Sequence, residues 1–171
     1  MPLFEFLRRL PVRVLYLLFF MVAISLLAFG LYLQHFKGLE PCPMCVMQRY
    51  AFFVIALIGL VGAIHGPRAP RQAASRVYAG LIGVGAVIGG GIAARQSWMQ
   101  IDPPLIPECG PGLEFMLESF PLAEALPMIF RGAGDCAAVD WTFLGLSIAN
   151  WSLLSFSASL VFALWMLLRR R

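Results

Sequence analysis

Four stretches of this chain are long and apolar enough to cross a lipid bilayer, and that feature constrains the fold more than any other. A helix rising about 1.5 Å per residue needs about 20 residues to cross about 30 Å of hydrocarbon. Residues 14–33 carry no charge, 45–64 carry only Arg49, 77–94 carry none, and the uncharged run 141–168 enters the membrane near Ile148. Charged residues make up 13% of the 171, about half the usual share in a soluble chain. A large soluble helical core would need a polar exterior that so few charges cannot supply. The reading is an all-α membrane protein: a four-transmembrane-helix bundle in one domain, residues 1–171, with spans at about 14–33, 45–64, 77–94 and 148–168.

Basic residues set the orientation, because positively charged flanks of spans are retained in the cytoplasm. Arg8, Arg9 and Arg13 precede the first span, Arg68, Arg71 and Arg76 lie between the second and third, and Arg169, Arg170 and Arg171 follow the fourth. These groups belong inside, so both termini are cytoplasmic and the outward loops are about 34–44 and 95–147. The net charge of +4 is thereby explained by membrane orientation, and no nucleic-acid partner is expected. The basic start and first span have the outline of a secretory signal, but the apolar run is too long and no small-residue cleavage site follows. An uncleaved first helix is expected.

The third span carries Gly80, Gly83, Gly85, Gly89, Gly90 and Gly91. Gly85 and Gly89 form a GxxxG pair, which lets helix backbones approach closely in lipid. This helix is expected inside the bundle, with homodimerisation through the same motif as the alternative. In the long outer loop, Leu113, Met116, Leu117 and Phe120 recur at helical spacing among six prolines. A short amphipathic helix fits, lying on the membrane surface or packed on the loop itself.

Cys42, Cys45, Cys109 and Cys136 all fall on the outer side, a compartment that can hold disulfides. Cys42-Pro43-Met44-Cys45 is a CxxC at the start of the second span, the spacing used where a disulfide opens and closes, and a helix N-terminus favours the thiolate that exchange requires. Zinc fits poorly, because Cys109 and Cys136 are far apart in sequence. Covalent haem needs a His after the second cysteine, where Val46 stands. An inert staple of the proline-rich loop by Cys109 and Cys136 stays open. Arg49 lies one turn after Cys45 on the same helix face, and an arginine just inside the boundary is costly enough to suggest an interior partner, with snorkelling to the headgroups as the alternative. It can stabilise a Cys45 thiolate and an anionic acceptor beside it. No nucleotide-binding or zinc-hydrolase motif is present, so the two-electron acceptor within reach of a CxxC in lipid is a membrane quinone.

These residues resemble the disulfide bond formation protein B (DsbB) family, bacterial inner-membrane enzymes that reoxidise the periplasmic thiol oxidase DsbA. The resemblance is carried by the four-span layout, the Cys42–Cys45 motif followed by Arg49, Cys109 in the second outer loop, and Gly134-Asp135-Cys136-Ala137 leading to Trp141, Phe143-Leu144-Gly145-Leu146 and Trp151. It implies that the Cys109/Cys136 pair exchanges with a DsbA-like partner of thioredoxin fold. It implies further that Cys42/Cys45 passes the electrons to ubiquinone or menaquinone, with Cys45 touching the quinone and Arg49 assisting. The cysteines would be periplasmic. Two positions depart from the family pattern: Gln48 stands where some members have an acid, and Gln96 where members often carry a His.

Overall fold

The computed structural model describes residues 10–39, 41–66, 72–102 and 141–169, together with Ser119, Pro121, Glu124, Ala137 and Val139. Cys109, Cys136 and the amphipathic segment between Leu113 and Phe120 lie outside the described residues.

Each apolar run forms one helix: α1 (Val12–Lys37), α2 (Pro43–His65), α3 (Gln72–Ile101) and α4 (Ile148–Leu168). All four are long and apolar enough to span a membrane. Their ends follow from local chemistry. Gly38 adopts the left-handed conformation (φ 67°) and closes α1, a conformation that costs glycine little. Gly66 does the same for α2 at φ 51°. There the Arg13 guanidinium donates from Nε to the Ala63 carbonyl and from Nη2 to the Ile64 carbonyl, both at 2.9 Å, so a cation occupies the negative end of the helix dipole.

α1 and α3 outrun the apolar stretches from which they were predicted. Charge and polarity mark where lipid ends, whereas a helix ends where its backbone is interrupted. α1 therefore continues to Lys37, where Gly38 stops it, and α3 continues past Arg95 to Ile101, shortly before Pro103 and Pro104 in the sequence. Gln34 and Gln96, assigned from the sequence to the outward segments, thus stand on helices.

The helices pack in sequence, α1 on α2, α2 on α3 and α3 on α4, and the core runs along the bundle in three layers. Near the end expected to face the cytoplasm, Tyr16, Ala63, Ile82 and Ala163 are buried together. Here Phe19 of α1 stacks on Phe162 of α4 with centroids 4.9 Å apart, and the Tyr16 hydroxyl donates to the Ser75 carbonyl at 2.7 Å. In the middle, Phe52 and Phe156 stack at 3.9 Å beside Ile55 and Ala86. The third layer gathers Cys42, Met44, Ile92 and Met99. Large apolar side chains such as Val22, Val84, Val87 and Val161 point outward, as lipid-facing positions should.

Gly85 and Gly89 of α3 are used within the chain. A methyl group at Gly85 would meet Ile55 of α2 at 2.5 Å, and one at Gly89 would overlap the Phe156 ring of α4. The GxxxG pair thus admits α2 and α4 to close contact, as a helix inside the bundle requires.

A two-stranded antiparallel hairpin, β1 (Thr142–Phe143) and β2 (Leu146–Ser147), precedes α4. Its turn residues Leu144 and Gly145 both have positive φ, 52° and 78°, as a tight two-residue hairpin turn demands. The Ser147 hydroxyl accepts from the Asn150 N–H at 3.3 Å and caps α4.

Candidate active site

Cys42 is the N-cap of α2, with extended backbone (φ −63°, ψ 160°), and Pro43 follows it within the first turn. Proline suits that place, because its missing N–H would have had no helical partner and its ring presets a helical φ. The three-residue spacing brings Cys45 to the position whose backbone N–H a capping side chain accepts. Cys45 N donates to Cys42 Sγ at 3.3 Å, and the two sulfurs lie 2.7 Å apart. The CxxC spacing and the helix start thus produce one geometry: two sulfurs side by side at a helix N-terminus.

Gln96 reaches this pair from α3. Its Nε2 donates to Cys42 Sγ and to Cys45 Sγ, each at 3.2 Å, while its Oε1 accepts from Gln48 Nε2 at 2.6 Å. Both glutamines are 3% exposed, and a buried amide is stable only when its polar atoms are engaged.

Arg49 lies one turn beyond Cys45 and is anchored to α1. Nη1 donates to Gln34 Oε1 at 2.5 Å, and Nη2 to the Gly30 carbonyl at 3.2 Å. Two neutral acceptors hold the guanidinium in place and leave its charge uncompensated by either of them.

Cys45, Arg49 and Gln96 line one cavity of about 1100 Å³. Its walls come from α1 (Leu26, Gly30, Leu33) and α4 (Trp151, Ser155), with Phe52 of α2 behind. α1 and α4, which meet through Phe19 and Phe162 at the far end, here stand on either side of the space. At the rim, Trp141 meets Phe29 of α1 edge-on at 5.9 Å and stacks on Phe143 at 6.1 Å. The hairpin that carries Phe143 is pinned twice: Trp151 Nε1 donates to the Phe143 carbonyl at 3.1 Å, and Ser147 Oγ donates to Gln100 Oε1 at 2.6 Å.

Of the site residues expected from the sequence, Cys42, Cys45 and Arg49 are brought to one place. The partner-facing Cys109 and Cys136 lie outside the described residues. Sequence reasoning missed the anchoring role of Gln34 and the contact of Gln96 with the sulfurs. The available signal was an uncharged amide one or two turns from the end of an otherwise apolar helix.

A bundle of four spans that holds a dithiol on the wall of an apolar cavity defines a multi-pass membrane protein of the thiol–disulfide oxidoreductase class. Comparison with known proteins gives the family. The family model described as "Disulfide bond formation protein DsbB" matches residues 12–166. Among similar proteins, the Disulfide bond formation protein B of Azoarcus sp. is 65% identical over 159 residues, covering 93% of this chain and 94% of that one. That of Aromatoleum aromaticum is 61% identical over the same shares, and that of Acinetobacter baylyi 45% identical over 84% of each chain. The chain belongs to the disulfide bond formation protein B family, and its role is that of a disulfide oxidoreductase in disulfide bond formation.

Proposed function

We propose that this protein reoxidises a DsbA-like thiol oxidase of thioredoxin fold in the periplasm and delivers the electrons to ubiquinone, or to menaquinone, in the bacterial inner membrane. Disulfide exchange with the partner belongs to Cys109 and Cys136, and the transfer to quinone belongs to Cys42 and Cys45. One observation carries the quinone half: Cys45 and the guanidinium of Arg49 line the same apolar cavity between two membrane-spanning helices.

The residues present suit a quinone. Leu26, Leu33 and Phe52 offer apolar walls, Trp141 and Trp151 offer aromatic faces at the rim, and Arg49 offers one fixed positive charge, the mix expected of a pocket for an apolar ligand with a polar head. When bound, a quinone supplies a two-electron, two-proton acceptor. The Cys42–Cys45 dithiol gives up two electrons and two protons as its sulfur–sulfur bond forms, so the balance closes without a further ionisable group. Cys42 and Cys45 both line the cavity; Cys45, one turn before Arg49 on α2, is the sulfur in contact with the acceptor, and Cys42 closes the disulfide with it. Arg49 stabilises negative charge developing beside Cys45, and Gln34 and Gly30 hold it there in advance, which spares reorganisation during the reaction.

The test is turnover of the purified full-length protein with reduced thioredoxin-fold oxidase and ubiquinone. Many equivalents of partner should be oxidised per enzyme, with matching loss of quinone absorbance. Oxidation at the same rate without any quinone, or none with it, would overturn the reading.

A further inference from the structure

Two buried glutamines are unused by the electron path just described. Gln96 of α3 and Gln48 of α2 are joined by the 2.6 Å bond from Gln48 Nε2 to Gln96 Oε1. With its oxygen engaged there, Gln96 turns its nitrogen to the cysteines, 3.2 Å from each sulfur. A primary amide nitrogen carries two hydrogens, and the sulfurs are 2.7 Å apart, so one amide serves both. Gln48 decides which end of Gln96 faces the sulfurs.

A thiol or thiolate sulfur accepts a hydrogen bond better than a disulfide sulfur, and acceptors with more negative charge gain more. Two N–H donors aimed at the pair therefore favour its reduced state. We propose that Gln96 is a catalytic hydrogen-bond donor that holds the Cys42–Cys45 pair toward the dithiol, and that Gln48 is a positioning residue acting only through Gln96. The pair is thereby made a stronger oxidant, readier to draw electrons from the donor that reduces it. This rests on Cys42–Cys45 being the redox pair, as proposed above.

The experiment equilibrates the purified full-length protein with glutathione buffers. The dithiol and glutathione disulfide exchange to give the protein disulfide and two reduced glutathiones, and the oxidised fraction is read by alkylation and mass spectrometry of the Cys42–Cys45 peptide. Gln96→Met, which keeps the length and removes the donors, should shift the equilibrium toward the disulfide about tenfold, or about 30 mV for a two-electron couple. Gln48→Met should shift it in the same direction about threefold. Added to Gln96→Met, it should shift it no further, the non-additivity expected of residues acting in series. An unchanged equilibrium in Gln96→Met, or a full Gln48→Met effect surviving in the double variant, would overturn the assignment. Should Gln96→Met not fold, Gln96→Leu takes its place, and Gln48→Met alone still decides, since no shift there sinks the positioning role. The readout uses no quinone, so failure of wild-type quinone turnover would sink the proposed function while leaving the effect of the amides measurable.

Discussion

Arg49 of α2 donates to the backbone carbonyl of Gly30 on α1, so the only charge within the second apolar run is anchored by a different helix from the one that carries it. The cost of placing a guanidinium in a span is offset by contacts that also aim it along the cavity wall. Arg49→Ala should lower kcat/KM for quinone roughly ten- to a hundredfold, because one charge-assisted contact is worth about 1.5 to 3 kcal/mol. Exchange of the oxidised protein with its thiol partner should survive. Steady-state kinetics at varied quinone, alongside a single-equivalent exchange assay, checks both halves; unchanged quinone kinetics would remove Arg49 from the site.

Replacing Cys42 and Cys45 together by Ser separates the two pairs. The remaining loop disulfide should oxidise about one equivalent of partner and then stop, because exchange requires only an accessible disulfide and an attacking thiolate. Stopped-flow or quenched partner oxidation in the presence of quinone reports the stoichiometry. Continued turnover would mean that Cys109 and Cys136 reach the acceptor directly.

Cys109 is expected to be the sulfur that the partner attacks. It follows Asp102-Pro103-Pro104-Leu105-Ile106-Pro107-Glu108 and precedes Gly110-Pro111, a run whose prolines oppose helix and favour an extended chain able to lie in a groove. Cys136→Ser should then accumulate a mixed disulfide through Cys109. Digestion and mass spectrometry of the complexes trapped with each loop cysteine replaced in turn identify the linkage, and a mixed disulfide that accumulates predominantly through Cys136 across the pair of variants would reverse the assignment.

Gly89→Ala places a methyl group against the Phe156 ring. In so tightly packed a layer, overfilling typically costs about 1 to 3 kcal/mol. Gly91→Ala, at a glycine with open space around it, should be neutral. Thermal unfolding of both variants in the same detergent makes the comparison, and equal midpoints would mean that α3 and α4 separate more easily than their packing implies.

The apolar runs were legible because lipid imposes a length and a polarity on every span, and the Cys45–Arg49 relation because one helical turn puts them on one face. Gln96 was harder to read. The charge of Arg95 ends the third apolar run, but the helix continues through it, and only that continuation carries the Gln96 amide to sulfurs that sit 51 and 54 residues earlier in the chain. The hairpin at 142–147 was equally hidden. Its residues are as apolar as the helix that follows, and a turn through Leu144 at positive φ lacks the asparagine or aspartate that advertises such turns.

The stacked rings of Phe19 and Phe162, with Tyr16 buried beside them, close the bundle at the end remote from the cysteines. The Cys42 and Cys45 sulfurs, the Arg49 guanidinium and the cavity lie in the other half, so on the proposed reaction electrons and their accompanying protons would enter and leave from one face of the bilayer. On the proposed reaction the cycle is electrically silent. Voltage across a membrane acts on charge carried through its thickness, at about 2.3 kcal/mol per elementary charge for each 100 mV. A protein that carries none is neither driven nor opposed by that voltage, and disulfide formation can proceed at the same rate in an energised cell and a depolarised one.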